Sequence, residues 1–320
     1  MRREGSPFQG VGAVAVKELA DNLSSARMFV LEWLIVLTAL AALYSAIDSL
    51  RKTTAQDPFL LLRLFTVNHA PLPSFVAILG FLIPLMAIGL GFDAINGEHN
   101  RRTLSRILAQ PIYRDALLIG KFLAGLATLA MSLAALWLMV IGLGLIFLGV
   151  PPGGEEVARS LAFLVIAVFY AGVWLALAML LSIVFRSSAT AALVALGIWL
   201  FLTVLWPMLA PAIAQVIAPP DPRYAMLGLE TPDTAIWAQM LSRISPNHLF
   251  SEAMVGVLSP TTRTLGPVFL EQLRGAVMGA PLPLSQSLII VWPQTVGLIA
   301  GTIVLFAAGY VVFQRQEVRA

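Results

Sequence analysis

Six long apolar blocks dominate this 320-residue sequence and restrict it to a membrane fold. A helix that crosses the ~30 Å hydrocarbon layer needs about 20 mostly apolar residues, because each residue rises ~1.5 Å. Short alternating segments, which are typical of membrane β-barrels, do not occur. The sequence therefore predicts an all-α polytopic membrane protein. The six predicted spans are Met28–Ile47, Leu72–Phe92, Leu117–Val150, Ser160–Phe185, Ala189–Ile217 and Leu288–Phe313.

Composition supports this class and excludes several others. Hydrophobic residues make up 59% of the chain and charged residues 12%, against roughly 45–50% and about 25% in soluble domains. An ordinary soluble enzyme, a disordered protein and a nucleic-acid-binding module are therefore excluded. The chain has no cysteine, so it has neither disulfides nor thiolate metal sites.

The distribution of basic residues predicts the orientation. An even number of spans puts both termini on one side, and twelve of the 20 Lys and Arg residues fall on that side, mostly in short connections. The other eight are spread over longer loops. By the positive-inside rule, both termini are expected in the cytoplasm and the protein in the cell (inner) membrane.

The 320 residues are expected to form one transmembrane domain with three notable non-spanning segments. Residues 1–27 contain a predicted amphipathic helix along the cytoplasmic surface, and residues 93–115 form a loop on the same side. Residues 218–287 form an external region, in which the semi-apolar stretch Thr234–Leu258 predicts short helices at the outer interface. In the first segment, the predicted apolar face of the helix consists of Val11, Ala15, Leu19 and Leu23. The predicted polar face consists of Lys17, Glu18, Asp21 and Asn22.

No pattern in the sequence indicates catalysis or a bound cofactor. The three histidines are isolated from the second His or carboxylate that a helical metal site requires. Gly120-Lys121 lacks the preceding glycine of a phosphate-binding loop, and Phe122 stands where Ser or Thr is needed. We therefore expect that this chain has no ATPase site, metal or cofactor of its own.

Ionisable residues inside spans are costly and usually functional. Only Glu32 and Lys121 qualify, and both lie within a turn or two of the predicted cytoplasmic boundary. We interpret both as side chains that extend to the interface. The middle thirds of the spans contain no acidic residue, which weighs against a secondary transporter driven by an ion gradient. That transporter remains an alternative, as does a membrane-embedded enzyme or scaffold, for which Asn247, His248 and Glu252 form a weak polar cluster.

The loop at residues 93–115 carries the most information about function. Asn100–Gln110 has the pattern of one short amphipathic helix, which Pro111 ends. A basic loop that only touches anionic lipid is the alternative, but a defined helix between two turn signals favours docking to a cytosolic partner. One face of this predicted helix carries Leu104, Ile107 and Leu108. Its other faces carry Arg101, Arg102 and Arg106.

This loop and the chain ends resemble the permease subunits of ATP-binding-cassette (ABC) transporters of the type-2 exporter class. The resemblance covers the whole chain and is strongest to the branch that includes the permease for nitrous-oxide-reductase maturation. Arg102 departs from the family pattern, in which glycine often precedes the Thr-Leu pair. The matching stretches are Phe92–Leu104, Gln110–Arg114, Leu118–Lys121, Val16–Leu19, Ile244–Phe250 and Phe313–Val318.

The resemblance implies a permease that pairs with a second copy or a paralogue and with two copies of a cytosolic ATPase, which bind the ATP and Mg²⁺. The loop helix would seat in the ATPase and transmit its closure to the second and third spans. The few polar groups in the spans indicate a hydrophobic or amphipathic cargo, and no nucleic acid is implied. The expected coupling contacts are Glu98, Arg101, Arg102, Thr103, Leu104, Arg106 and Ile107, with Lys17 and Glu18 as second-rank contacts.

Overall fold

The computed structural model describes residues 10–52, 59–68, 73–100, 114–149, 151–226, 231–266 and 281–315, and these ranges contain helices and connections but no strand. The helices are α1 (Val11–Leu23), α2 (Ala26–Lys52), α3 (Leu60–Thr66), α4 (Phe75–Gly91), α5 (Asn96–Asn100), α6 (Arg114–Leu148), α7 (Gly154–Val184), α8 (Ser188–Leu200), α9 (Trp206–Ile217), α10 (Pro222–Met226), α11 (Pro232–Ser242), α12 (Pro246–Leu258) and α13 (Leu284–Arg315).

All six predicted spans are confirmed as helices long and apolar enough to cross a membrane. They are α2, α4, α6, α7, the α8–α9 pair and α13. A five-residue π-helical turn, Phe201–Leu205, joins α8 to α9. The end of the bundle that carries α1, α5 and the last turn of α13 is called the terminal side below.

The fourth span, α7, is the most buried of the six and the fifth is the least buried. Helix α7 packs against α13, α4, α6 and α12. Its Tyr170 is fully buried and donates a hydrogen bond of 2.8 Å to the Gly80 carbonyl of α4. The core of the protein is therefore built around α7.

Helix α7 begins at Gly154, earlier than the predicted Ser160. Its charged first turns are helical because their groups are bonded: Glu156 accepts hydrogen bonds of 2.8 Å from the backbone N–H groups of Gly153 and Leu61. Arg159 is fully buried yet pairs with Glu155 at 2.9 Å. Its guanidinium also donates to the Val257 carbonyl at 2.7 Å, to Ser287 Oγ at 3.1 Å and to the Leu282 carbonyl, which joins α7 to α12 and α13.

The stretch predicted to form short helices at the outer interface forms α11 and α12, and α12 packs against the spans α7 and α13. Phe250 stacks on Tyr170 with ring centroids 4.4 Å apart. A Cβ on Gly256 would overlap Val291 of α13, so the glycine permits this close helix contact. The sequence predicted the short helices but not these tertiary partners, of which the semi-apolar composition of α12 gave no sign.

Polar contacts fix α11 and α12 to each other and to the fifth and sixth spans. Ser245 Oγ donates to the Leu202 carbonyl within the π-helical turn at 2.8 Å. Glu252 accepts hydrogen bonds from side chains of three elements, and we call this group the Glu252 cluster. Burial raises the pKa of Glu252, but these bonds outweigh it and hold the pKa at about 2. The cluster consists of Glu252 with Gln239, Arg243, His248 and Gln294.

Candidate functional site

The N-terminal helix α1 packs on the first part of the third span, α6. Val14 of α1 is buried, and a Cβ on Gly120 of α6 would lie 2.7 Å from Val14 Cγ1. Glycine at position 120 therefore allows the two helices to approach closely. The 35 residues of α6 exceed the about 20 that a crossing needs, and 20 residues counted back from Leu148 end near Thr128. Helix α1 thus lies beside the part of α6 that extends past the hydrocarbon layer on the terminal side.

Helix α1 forms as predicted, but its buried face differs from the prediction. Asn22 and Glu18, both expected on the polar face, point toward α6. Asn22 Nδ2 donates to Thr128 Oγ1 at 3.5 Å. Leu23, expected on the apolar face, is exposed in this structure. Polar partners on α6 decide the orientation, because they satisfy the two side chains better than an apolar contact would.

The centre of the site is Lys121 of α6. Its side chain is only 5% exposed, and its Nζ lies 2.9 Å from Glu18 Oε2 and 3.3 Å from Glu98 Oε1. We call these three residues the Lys121 cluster. The interpretation of Lys121 as a side chain that extends to the membrane interface was wrong, since two carboxylates hold it inside the protein. The cluster joins α1, α5 and α6.

Helix α5, which carries Glu98, is fastened to the connection between α7 and α8. Ser182 Oγ accepts hydrogen bonds from the backbone N–H groups of Ile95 at 3.0 Å and Asn96 at 3.2 Å. The Asn96 side chain donates to the Phe185 carbonyl at 3.3 Å and accepts from Ser188 Oγ at 2.9 Å. These bonds make α5 the junction between the loop that follows it and the middle of the bundle.

Two further contacts tie span ends together on the terminal side. Arg27, at the start of α2, pairs with Asp93 at 2.7 Å and lies over the Phe92 ring at 5.4 Å. Gln314, at the end of α13, donates to Asp115 at the start of α6. A polar cavity of about 440 Å³ lies between the Arg27–Asp93 pair and the Lys121 cluster, with Lys17 and Asp21 also in its wall.

The comparison with known protein families decides what kind of membrane protein this is. The model of the ABC-2 family transporter protein matches residues 12–318, which is nearly the whole chain. The chain belongs to the ABC-2 family of transporter proteins. The resemblance seen in the sequence is therefore confirmed.

Two relatives of this ABC-2 protein carry the name "Probable ABC transporter permease protein NosY". The one from Pseudomonas aeruginosa is 33% identical over 209 residues, which cover 63% of this chain and 70% of the relative. The one from Stutzerimonas stutzeri is 28% identical over 206 residues, which cover 62% and 69%. The chain is a membrane permease subunit of an ABC transporter, a multi-pass transport component of a system whose family implies a partner ATPase.

Of the expected coupling contacts of this ABC-2 permease, the structure describes Glu98, Lys17 and Glu18. Glu98 and Glu18 meet at Lys121, whereas Lys17 is exposed and pairs with Glu18 at 3.0 Å and Asp21 at 2.9 Å. The rest of the predicted helix beyond Asn100 lies outside the described residues. So do the expected contacts Arg101, Arg102, Thr103, Leu104, Arg106 and Ile107.

Sequence reasoning named Glu18 and Glu98 but missed that Lys121 joins them, and it missed Asn96 and Ser182. Lys121 had one usable signal, its place in the Gly-Lys pair that opens the third span in the family pattern. Asn96 and Ser182 had none, because polar residues near span ends are common and their pairing spans 86 positions. Among the residues the structure describes, no group of His, Cys, Asp and Glu is arranged to hold a metal ion.

Proposed function

We propose that this ABC-2 permease is the membrane half of an exporter driven by a separate cytosolic ATPase. Two permease chains, either two copies or this chain and a paralogue, would form the central path, and two ATPase subunits would bind the ATP and Mg²⁺. The sequence of this chain has no phosphate-binding loop, which supports an ATPase site on another subunit. The excess of Lys and Arg on the terminal side supports a cell (inner) membrane location with both termini in the cytoplasm.

The observation that carries this proposal is the Lys121 cluster, together with the closeness in sequence of its Glu98 to the predicted loop residues 101–113. Glu98 lies in α5, three residues before that loop begins. A displacement of the loop by an ATPase would pull on α5, and the contacts of Lys121 with Glu98 and Glu18 would carry the displacement to α6 and α1. The bonds of Asn96 would carry it to α7 and α8.

The physical requirement on such coupling is a differential affinity. ATP binding shifts the permease only if the closed ATPase pair favours one arrangement of the spans over another. A buried ion cluster suits this role because its charges are stable only while they stay paired, so α1, α5 and α6 would move together. In this proposal, the loop residues Arg101, Arg102, Thr103, Leu104, Arg106 and Ile107 contact the ATPase.

The test of docking is co-purification with the ATPase after charge reversal. The variant Arg101→Glu, Arg102→Glu, Arg106→Glu should insert into the membrane but no longer co-purify with the ATPase. A matched control reverses three other arginines expected in the cytoplasm: Arg2→Glu, Arg3→Glu, Arg319→Glu. The control should keep the complex, because it changes the net charge equally without touching the loop.

The proposal is refuted if the loop variant still binds the ATPase and stimulates ATP hydrolysis as the unaltered protein does. Loss of the complex in both variants would also contradict it, because general charge rather than the loop would then hold the ATPase. A separate variant, Glu98→Gln, should keep the ATPase bound and reduce transport per ATP hydrolysed. An ion-gradient carrier would instead transport without any ATPase and respond to collapse of the gradient.

A further inference from the structure

We propose that the groove between the first and third spans is a binding site for an amphipathic organic cation, with Glu32 as its charge partner. Binding at this site does not depend on the export function proposed above. Glu32 lies on α2, six residues after the helix begins at Ala26. Its Oε1 accepts a hydrogen bond of 2.8 Å from Ser132 Oγ of α6.

The charge of Glu32 is the first part of the argument. Within the described ranges, one neutral hydroxyl bonds this carboxylate, and no Lys, Arg or His forms an ion pair with it. An acidic side chain within a span is costly and is retained where a partner compensates it. Lys121, the other ionisable residue within the six spans as predicted from the sequence, has two such partners within the protein, which leaves the Glu32 carboxylate as the group in need of a partner.

The shape of the surroundings is the second part. Glu32 opens into a cavity of about 450 Å³ between α2 and α6, within the ~300–1,000 Å³ range of small-molecule sites. The other walls are almost entirely apolar and include three methionines. Methionine is unbranched and polarizable, so it adapts to ligands of different shape. The main apolar lining residues are Ile35, Met86, Met131, Leu136 and Met139.

The depth of the carboxylate is the third part. Ser132 lies four residues beyond Thr128, so the Glu32–Ser132 bond is about 6 Å inside the hydrocarbon boundary on the terminal side. An amphipathic molecule in that leaflet holds its charge near the boundary and its apolar body deeper in the bilayer. Such a molecule would meet Glu32 with its charge and the methionine-lined wall with its body.

Charge complementarity distinguishes this ligand from other occupants of the cavity. An organic anion would be repelled by the carboxylate, and a neutral lipid chain would fill the apolar walls but leave the charge unpaired. A phospholipid amine brings its own phosphate anion close to Glu32. A molecule with a net positive charge and an apolar body satisfies both parts of the site.

The experiment uses two probes of matched shape and opposite charge on the full-length permease in nanodiscs. Tetraphenylphosphonium is the cation and tetraphenylborate the anion, and equilibrium dialysis measures binding without any ATPase. The cation should bind saturably, at one site per chain, and the anion should not. Glu32→Gln should weaken cation binding at least tenfold. The matched control Asp233→Asn removes an exposed carboxylate that lines neither this groove nor the polar cavity, and it should leave the affinity unchanged.

A second variant keeps the test valid if Glu32→Gln folds poorly. Met139→Trp fills the cavity without removing the charge and should also abolish saturable binding. Equal affinity of the unaltered protein and both cavity variants for tetraphenylphosphonium would overturn the proposal. Saturable binding of tetraphenylborate would overturn it too, because the site would then select by shape alone. A phospholipid retained by the unaltered protein in native mass spectrometry, and absent from Glu32→Gln, would assign the cavity to lipid and refute the cation. None of these outcomes bears on ATPase docking.

Discussion

Replacement of Lys121 by methionine tests the central cluster of the terminal side most directly. The substitution keeps the volume of the side chain but leaves Glu18 and Glu98 without a cation. Lys121 Nζ lies 2.9 and 3.3 Å from their oxygens, which puts the two carboxylates within about 6 Å of each other. At an effective dielectric constant of about 20, their repulsion is about 3 kcal/mol. Removal of one partner from a buried ion pair typically costs about 3–5 kcal/mol, so we expect a loss of about 3–4 kcal/mol in the free energy of unfolding.

The assay is reversible unfolding of the purified permease in mixed micelles with increasing SDS, followed by tryptophan fluorescence. Lys17→Met is the matched control, because Lys17 is the same residue type, lies beside Glu18 and is 59% exposed. An exposed pair contributes at most about 1 kcal/mol. The triple variant Lys121→Met, Glu18→Gln, Glu98→Gln should recover most of the loss, since no unpaired charge remains. A loss below 1 kcal/mol for Lys121→Met, no larger than that of Lys17→Met, would refute the reasoning.

Three further predictions follow from other contacts. The folded-state pKa of Glu252, about 2, lies below its ordinary value of 4.5, so its contribution of about 2–4 kcal/mol is present above pH 4.5 and is lost as the pH falls toward 2. The unfolding free energies of Glu252→Gln and the unaltered protein should therefore converge on acidification. Gly120→Val should displace Val14 and destabilise the permease by about 1–3 kcal/mol, measured by SDS unfolding; an unchanged stability would contradict the close contact of α1 and α6. A single cysteine introduced as His99→Cys should react with an impermeant maleimide only from the cytoplasmic side, and labelling from outside would reverse the proposed topology.

The six spans were predictable because length and apolar composition are local properties of the chain. The boundaries of the spans were less predictable where polar groups bond to residues that are distant in the sequence. The predicted start of the fourth span, Ser160, comes after Glu156 and Arg159, yet both of these charged residues are buried and bonded within α7 and its neighbours. The sequence shows that burial of a charged residue would cost free energy, but it does not show which residue pairs with that charge.

The candidate site was predictable only in part, for the same physical reason. The sequence indicated an amphipathic helix within residues 1–27 and a charged position at Lys121, but not which face of α1 would be buried. The two partners of Lys121 lie 103 and 23 positions away, and no helical or strand periodicity relates residues at such separations. Phe250 and Tyr170, whose stacking draws α12 among the spans, were likewise assigned to separate regions.

The packing of α1 on α6 has a consequence for biogenesis. Asn22 and its partner Thr128 are 106 residues apart, and a ribosome that adds ~5–20 residues per second needs roughly 5–20 s to make the intervening chain. Throughout that interval α1 has no docking surface, while two hydrophobic segments, α2 and α4, are already entering the bilayer. Helix α1 is thus translated well before the surface on which it docks, and it reaches its final place only after α6 has been made.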